Sequence, residues 1–333
     1  MKKITLIIFF FSIINAYSQY EEHIPSLVEA YFSPLSESVS NGINNGWYNT
    51  AKPHGILGFD LSFSLNMIHI PEEALSYNPN DLENYTSNTT SLPNIFSRGL
   101  GEILSQTEQV QYQGPNNSIS TLNIANEKYF SPKILPIPVL NGGFGIGKKT
   151  SINFRYLPEK TISISNLDSR IGLSTSLWGA GIKHDLLQYL PAGNLIPLGL
   201  SIQGAHTSIS NKINSYAEEF NLNINTSTIN LIASKSFILF TAMASIGFNS
   251  TKSEVINYPN VLSYVLFGFP ATLYEDGSFN NGDFNYYDIK FDRVTEFRQN
   301  IGVKFNIAIV SIHLNHTFSK YPVTTIGAGV SIN

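Results

Sequence analysis

The sequence of 333 residues contains no cysteine, few charged residues and no excess of positive charge. Without cysteine the chain has no disulfide, thiolate metal site or cysteine nucleophile. Charged residues make up 13% of the chain, about half the fraction found in soluble domains. A net charge of −4 provides no basic surface for nucleic acid. This composition excludes a disordered tail, a coiled coil and a nucleic-acid-binding protein.

Long apolar runs are also lacking, except at the N-terminus. Lys2 and Lys3 precede an apolar run over 4–14, and Ala16-Tyr17-Ser18 offers small residues for cleavage before Gln19. These three features match the regions of a signal peptide. A buried N-terminal helix is the alternative, but it does not require the lysines or the small residues. We therefore predict a signal peptide over 1–18, and no α-helical membrane span after it.

Apolar and polar residues alternate with a period of two through most of the remaining chain. Along 57–67 the odd positions, from Leu57 to Met67, are apolar, and the even positions are Gly, Asp, Ser and Asn. Successive strand residues point to opposite faces, so this pattern predicts strands with one apolar and one polar face. The predicted strands lie near 56–70, 134–146, 150–157, 169–185, 196–210, 219–233, 236–249, 293–307, 310–318 and 322–333.

Several of these runs are longer than ordinary strands, which average about 5–6 residues, and reach the roughly 9–11 residues of a tilted membrane strand. A secreted β-sandwich is the alternative, but its outer face would carry many Lys and Glu. The sequence therefore predicts an all-β fold, an antiparallel transmembrane β-barrel with a polar lumen. Weak runs at 108–113 and 118–124 could add a hairpin, giving 10–12 strands.

The lengths of the connections support the barrel over the sandwich. With ten strands, the connections 147–149, 186–195, 234–235 and 308–309 fall at one end, and the long loops 71–133 and 250–292 fall at the other. Outer-membrane barrels have short periplasmic turns and longer external loops. We therefore predict a barrel over 55–333 in the outer membrane.

The segment 19–54 has a different pattern. Apolar residues at helical spacing predict one or two short amphipathic helices over 21–40, with Pro34 breaking or kinking the second half. Asn41-Gly42 and Asn45-Gly46 are expected to end the helical stretch. Placed before the first strand on the periplasmic side, the segment could plug the barrel, cap its lower mouth or pack on nothing specific.

A motif follows this helix. Gly46-Trp47-Tyr48-Asn49-Thr50-Ala51-Lys52-Pro53-His54, then Gly58-Phe59-Asp60, resembles the opening of an uncharacterised family of exported Gram-negative β-barrel proteins. That family is in turn similar to the long-chain fatty-acid outer-membrane transporters. The resemblance implies an outer-membrane barrel that handles a hydrophobic molecule.

Motifs of known chemistry are scarce. No zinc-protease, nucleophile-elbow or nucleotide-binding pattern occurs, and His313 and His316 fall on opposite strand faces, which is poor metal geometry. His206 and Ser208 share a strand face and could form the histidine–serine pair of an outer-membrane lipid deacylase, but no acid partner is evident. We expect no enzymatic activity, no catalytic residues, no cofactor and no metal.

Ionisable and aromatic residues at the predicted lumen are the site candidates, because charged groups inside a membrane barrel are usually functional. A structural role is the alternative, in which Arg/Lys–Asp pairs brace the lumen. An apolar stretch in the second long loop is a candidate ligand surface, unless 261–269 forms another strand or packs into the lumen. The lumen and plug candidates are Trp47, Tyr48, Lys52, His54, Asp60, Arg155, Arg298, Lys304 and His313, and the ligand-loop candidates are Tyr264, Phe267 and Phe269.

These observations predict an outer-membrane barrel that binds or passes a small hydrophobic ligand. The alternative is a structural or adhesive surface barrel without transport. Outer-membrane lipid is the expected partner, together with the ligand, and no nucleic acid.

Overall fold

The fold is described from a computed structural model, which covers residues 24–98, 107–114, 117, 119–126, 132–166, 169–191, 193–215, 218–259 and 286–332. The chain divides into two compact units. The first contains residues up to 34, 72–131 and 255–290, and the second contains 35–71, 132–254 and 291–333. In the described ranges, no helix is both long enough and apolar enough to span a membrane.

Strands dominate the structure. Two α-helices are present in the described residues, α1 (Ile24–Ile43) and α2 (Ile95–Arg98), together with short 3-10 helices at Glu72–Leu75, Pro79–Asp81, Leu187–Tyr189 and Gly193–Leu195. The strands are β1 (Phe59–His69), β2 (Ser76–Tyr77), β3 (Tyr85–Ser87), β4 (Leu92–Pro93), β5 (Thr107–Gln113), β6 (Ile119–Ala125), β7 (Ile134–Gly147), β8 (Thr150–Asn166), β9 (Ser169–Asp185), β10 (Gly199–Ser215), β11 (Glu218–Ser236), β12 (Phe240–Pro259), β13 (Tyr286–Lys290), β14 (Val294–Ile307), β15 (Val310–Phe318) and β16 (Val323–Ile332).

Ten of these strands form a closed antiparallel barrel. Their order is β11-β10-β9-β8-β7-β1-β16-β15-β14-β12, and β12 pairs back with β11. The first and last strands also pair, with Phe63 opposite Ala328. Closure leaves the barrel without unpaired edges. Each of the ten strands overlaps one that the alternation predicts, so the predicted barrel is confirmed.

The alternation also assigns the two faces of the wall correctly. Phe63 is 55% exposed on the outer face, whereas the neighbouring Ser62 is buried on the inner face. Phe305 and Lys304 show the same difference. The outer surface is therefore apolar, and most of the inner surface carries small polar residues and a few charges, except for large apolar residues such as Phe220 and Leu222 on β11.

Four strands are longer than predicted by more than one residue: β8 and β10 contain 17 residues each, β11 contains 19 and β12 contains 20. Residues 250–259, which were predicted to belong to the second long loop, are therefore part of β12. The hairpin of β5 and β6 does form, but it belongs to a separate three-stranded sheet, β3-β5-β6, and adds no strand to the barrel. The alternative of twelve barrel strands was wrong for this reason.

The two ends of the barrel differ in their connections. One end, here called the short-turn end, carries the connections 148–149, 186–198, 237–239 and 308–309. At the other, the long-connection end, the chain passes from β1 to β7, from β8 to β9, from β10 to β11, from β12 to β14 and from β15 to β16. Because β1 starts at Phe59 and β16 finishes at Ile332, the barrel begins and ends at the short-turn end.

The first unit contains the small sheets. β5 pairs with both β3 and β6, and the rings of Tyr85 and Tyr112 meet edge to face with their centroids 5.1 Å apart. Burial raises the pKa of the Tyr85 hydroxyl well above its ordinary value, so this hydroxyl stays neutral at physiological pH. Asn94, which directly precedes α2, donates to the carbonyl oxygen of Ala74 at 2.9 Å. This bond connects α2 to the 3-10 helix Glu72–Leu75.

Helix α1 runs without interruption through Pro34. The predicted break at this proline was wrong, and the helix is a single element that extends to Ile43. It ends where Asn44 and Asn45 donate back to the carbonyl oxygens of Ser40 and Gly42. Gly46 then adopts a φ of 75°, a conformation that favours glycine.

Candidate functional site in the barrel lumen

Residues 37–54, here called the lumen segment, occupy the interior of the barrel. The last two turns of α1 form its first part, and the motif that begins at Gly46 forms its second. Most of its side chains are buried, including the polar Ser38, Ser40, Asn44 and Asn45. Small polar residues suit this position because the inner wall offers hydroxyl and amide partners for them.

The upper part of the lumen segment is anchored at the long-connection end. Lys320 lies in the connection between β15 and β16, and its Nζ is 2.5 Å from Oε2 of Glu37. Asn41 donates to Oε2 of Glu296 at 2.7 Å. Tyr321 is buried beside these acids, and burial, reinforced by Glu37 and Glu296, raises the pKa of its hydroxyl.

Just below, α1 is bonded to the wall through hydroxyl groups. Ser40 donates to Oγ1 of Thr226 at 2.9 Å and also contacts Thr251. Asn44 donates to the same Thr226 oxygen at 2.7 Å. Thr226 and Thr251 lie on the neighbouring strands β11 and β12, so the helix is fixed to one side of the barrel.

Arg155, which lies on β8, binds the end of the helix. Its guanidinium donates to the carbonyl oxygens of Ile43 and Asn45, the latter at 2.7 Å. Its Nε donates to Oδ1 of Asn141 at 2.8 Å, and its Cζ lies 4.1 Å from the centroid of the Trp47 ring. A cation is favourable here because carbonyl groups at a helix C-terminus carry partial negative charge.

Arg298 completes the same arrangement. It donates to the carbonyl oxygen of Asn44 at 2.7 Å and to Oδ1 of Asn45 at 2.6 Å. We call Arg155 and Arg298 together the arginine clamp. Within the described residues neither arginine forms a salt bridge with a carboxylate, so the predicted Arg–Asp brace is not what these residues build.

Trp47 and Tyr48 fill the middle of the lumen. With Ala51 they form a buried cluster against Ala205, Ile232 and Met243 of the inner wall. The Tyr48 hydroxyl is 2.5 Å from Oγ of Ser245. These two aromatic residues thus pack on residues of the inner wall.

The lower part of the segment is held near the short-turn end. The amide of Ala51 donates to Oγ of Ser234 at 3.0 Å, and Nζ of Lys183 donates to the carbonyl oxygen of Thr50 at 3.1 Å. Sequence reasoning missed Lys183, although it lies on the small, polar face of its strand with Gly179 and Gly181. Its position on the same strand face as these glycines was the signal that could have identified Lys183 as a lumen residue.

His54 and Asp60 lie within ion-pair distance, with Nε2 and Oδ1 2.5 Å apart. The Lys52 side chain is exposed, and it is His54 that contacts the Asp60 carboxylate. The short span between His54 and the start of β1 favours this local pair.

The remaining lumen candidates lie next to each other on the wall. Lys304 on β14 is opposite His313 on β15, and Nε2 of His313 is 3.2 Å from Oγ of Ser64. The Nδ1 atom of His313 is buried without a hydrogen-bond partner among the described residues. No described group of three potential metal ligands occurs, in the lumen or elsewhere.

The histidine–serine pair of the deacylase hypothesis consists of His206 and Ser208. His206 faces outward and contacts Oγ of Ser227 at 3.0 Å, across the strand pair, rather than Ser208. The geometry therefore does not form the pair that the deacylase hypothesis needs.

The ligand-loop candidates Tyr264, Phe267 and Phe269 lie outside the described residues. Tyr258, at the start of that apolar stretch, is fully buried in β12 rather than exposed in a loop.

Comparison with known proteins gives a family. The chain belongs to the family of unknown function DUF6588, whose model matches residues 1–332. No functionally curated protein matches it significantly.

Solved structures with some similarity to the chain are bacterial membrane barrels. The translocator domain of autotransporter NalP from Neisseria meningitidis has 8% identity and a TM-score of 0.35, covering 93% of this chain and 98% of its own. The β domain of the Bordetella autotransporter Brka has 8% identity and a TM-score of 0.33, with coverages of 83% and 98%. OmpTΔL8, a loop-deletion mutant of an outer-membrane protein of Vibrio cholerae, has 7% identity and a TM-score of 0.18, with coverages of 82% and 99%.

Proposed function

We propose that the protein is exported by its signal peptide, spans the outer membrane as a β-barrel, and binds or passes a small hydrophobic ligand. The apolar outer surface supports the membrane location, since exposed side chains such as Phe63, Ile301 and Leu314 would be unfavourable in water. The resemblance of the motif around Trp47 to barrels related to fatty-acid transporters points to the same ligand class.

One observation carries the proposal for the ligand. Toward the long-connection end the inner wall changes from polar to apolar. On β11, Phe220, Leu222 and Ile224 share the inward phase of Thr226 and Thr228, while Asn223 between them faces outward. The buried apolar residues of this inner band are Leu177, Ile209, Ile213, Phe220, Leu222 and Ile224.

This apolar band indicates a ligand with an apolar body. A pore for water-soluble solutes keeps a polar interior, whereas apolar ligands bind in sites lined mainly by hydrophobic side chains. Each side chain of the band is at most 5% exposed, so binding requires a local rearrangement. Passage further down requires the lumen segment to move, because the arginine clamp holds it across the lumen.

A second function is favoured by the density of these contacts. The lumen segment is bound by the arginine clamp, by Thr226 and by Lys183, which suits a barrel that stays closed. The protein would then be a structural or adhesive surface barrel without transport.

Uptake of N-phenylnaphthylamine, an apolar fluorophore, by intact cells distinguishes the two functions. Under the first, cells with the protein take up the probe faster than cells without it. Leu222→Asn makes the inner band polar and should reduce the rate toward that of cells without the protein. The matched control Asn223→Ser changes the adjacent outward position and should keep the rate.

The amounts of assembled barrel must be equal, as judged by the mobility shift on heating. Equal uptake with and without the protein would contradict the ligand proposal and leave the closed surface barrel. A protein that shows no heat-dependent shift and is found outside the membrane would contradict both.

A further inference from the structure

The contacts of the lumen segment show the direction in which the chain crosses the barrel. Along β11, Ser40 and Asn44 contact Thr226, and Tyr48 contacts Asn230. Ala51 contacts Ser234, two residues before β11 ends at the short-turn end. As the residue number in the segment increases, the contact moves steadily toward that end.

β12 gives the same direction independently. Ser40 contacts Thr251, Asn41 accepts a hydrogen bond from Asn249 at 3.2 Å, and Tyr48 contacts Ser245. β12 begins at Phe240 at the short-turn end, so these contacts also descend toward it. From Thr226 to Ser234 the segment follows the wall over about 26 Å, at roughly 3.3 Å per strand residue.

The two ends of the segment agree with this direction. Glu37 pairs with Lys320 in a connection of the long-connection end. His54 pairs with Asp60 at the start of β1, and a Cβ on Gly145 would overlap the carbonyl oxygen of Gly55 near the base of β7. The chain therefore enters the lumen at the long-connection end and leaves it at the short-turn end.

We infer that the barrel carries the N-terminal end of its own mature chain to the cell surface. This inference rests on the proposed location in the outer membrane, where short turns face the periplasm and long loops face outward. The chain that precedes the lumen segment is then directed toward the outer side. The periplasmic helix expected from the sequence is replaced by a helix whose N-terminal end belongs to the outside. The barrel thus acts as a surface display device for that end.

Single-cysteine labelling tests the inference, because the natural chain has no cysteine. Pro25→Cys reports on the N-terminal end, Asn214→Cys on the long-connection end of β10, and Ile309→Cys on the short-turn end. Intact cells and permeabilised cells are treated with a membrane-impermeant maleimide. We expect Pro25→Cys and Asn214→Cys to be labelled in intact cells, and Ile309→Cys only after permeabilisation.

The two reference positions separate failure of the inference from failure of the proposed location. If Pro25→Cys, like Ile309→Cys, is labelled only after permeabilisation while Asn214→Cys is labelled in intact cells, the inferred direction of the chain through the lumen is wrong. The proposed location of the barrel in the outer membrane is then retained. If Asn214→Cys and Ile309→Cys are labelled under the same conditions, the barrel does not span the membrane and both proposals fail. If a variant at Pro25, Asn214 or Ile309 shows no heat-dependent mobility shift, it is replaced by a cysteine variant at Ser26, Glu219 or Val310, respectively.

Discussion

At the residue scale, the lumen is organised by cations that bind backbone carbonyl groups. Arg155 and Arg298 each reach the turn that ends α1. A guanidinium suits this role because its donors form a planar fork that can bind two acceptors at once. The charge is thereby placed against the helix C-terminus rather than against a carboxylate.

Replacing Arg155 tests this role. Arg155→Lys keeps the charge but loses the fork, so at least one buried carbonyl oxygen of Ile43 or Asn45 loses its donor. An unsatisfied buried acceptor costs about 1–3 kcal/mol. We expect the temperature of the heat-dependent mobility shift to fall. Lys52→Ala removes an exposed cation from the same segment and should leave this temperature unchanged. If Arg155→Lys and Lys52→Ala changed this temperature equally, the proposed role of the arginine clamp would be contradicted.

Outward-facing residues give the second prediction. A charge facing lipid near the middle of the membrane costs about 2–4 kcal/mol, and less near the interfaces. Phe63→Arg should therefore reduce the amount of assembled barrel in membrane fractions. Ile238→Arg places the same charge on a fully exposed residue of the 237–239 turn and should assemble normally. Normal assembly of both variants would show that Phe63 does not face lipid.

Single residues also show where sequence reasoning succeeds and fails. The alternation placed Arg155, Arg298, Lys304 and His313 on the inner face, because the phase of a strand determines which side each residue faces. It did not identify His54 as the partner of Asp60, because that contact depends on how residues 52–58 turn, which no periodicity encodes.

At the element scale, the lumen segment needs space that only glycine leaves. A Cβ on Gly145 would overlap the carbonyl oxygen of Gly55 and lie 2.6 Å from that of His54. Gly145→Ala should therefore displace the segment and destabilise the barrel, since overpacking typically costs about 1–3 kcal/mol. Gly204→Ala has no atom within 4 Å of the added Cβ and serves as the control. Thermal mobility-shift assays on both variants test this, and equal stability would contradict the close approach.

The strands were predicted well and the helix less well. Alternation over 10–15 residues identifies a membrane strand. The stretches 158–166, 211–215 and 250–254 contain few apolar residues, so the ends of β8, β10 and β12 toward the long-connection end were missed, whereas β11 was predicted from residue 219. Pro34 was expected to break or kink the helix, whereas α1 continues through it, because tertiary packing outweighs the one hydrogen bond that proline removes.

At the scale of the whole molecule, the barrel is closed by its own chain. Deleting residues 20–46 removes α1 and the backbone that the arginine clamp binds. We expect the variant to insert and to show higher conductance than the full chain in planar bilayers. The opened lumen keeps Arg155, Lys183, Arg298 and Lys304, which outnumber the inward-facing Asp60 and Glu296, so its current should be carried mainly by anions.

The reversal potential in a salt gradient measures that selectivity. An inserted variant with unchanged conductance would contradict the occlusion of the lumen. A cation-selective current would instead contradict the assignment of these four cations to the open interior.

The most direct test of the central claim, that residues 37–54 cross the lumen, is a disulfide between the segment and the wall. Ser40 Oγ and Thr226 Oγ1 are 2.9 Å apart, close enough for cysteines at these positions to meet the geometry of a disulfide. Ser40→Cys with Thr226→Cys should form a cross-link in assembled barrels, seen as a mobility change on denaturing gels that reductant reverses. Ser40→Cys with Ser227→Cys, whose second position faces outward, should not. A cross-link in neither pair, or in both equally, would contradict a lumen filled by this segment.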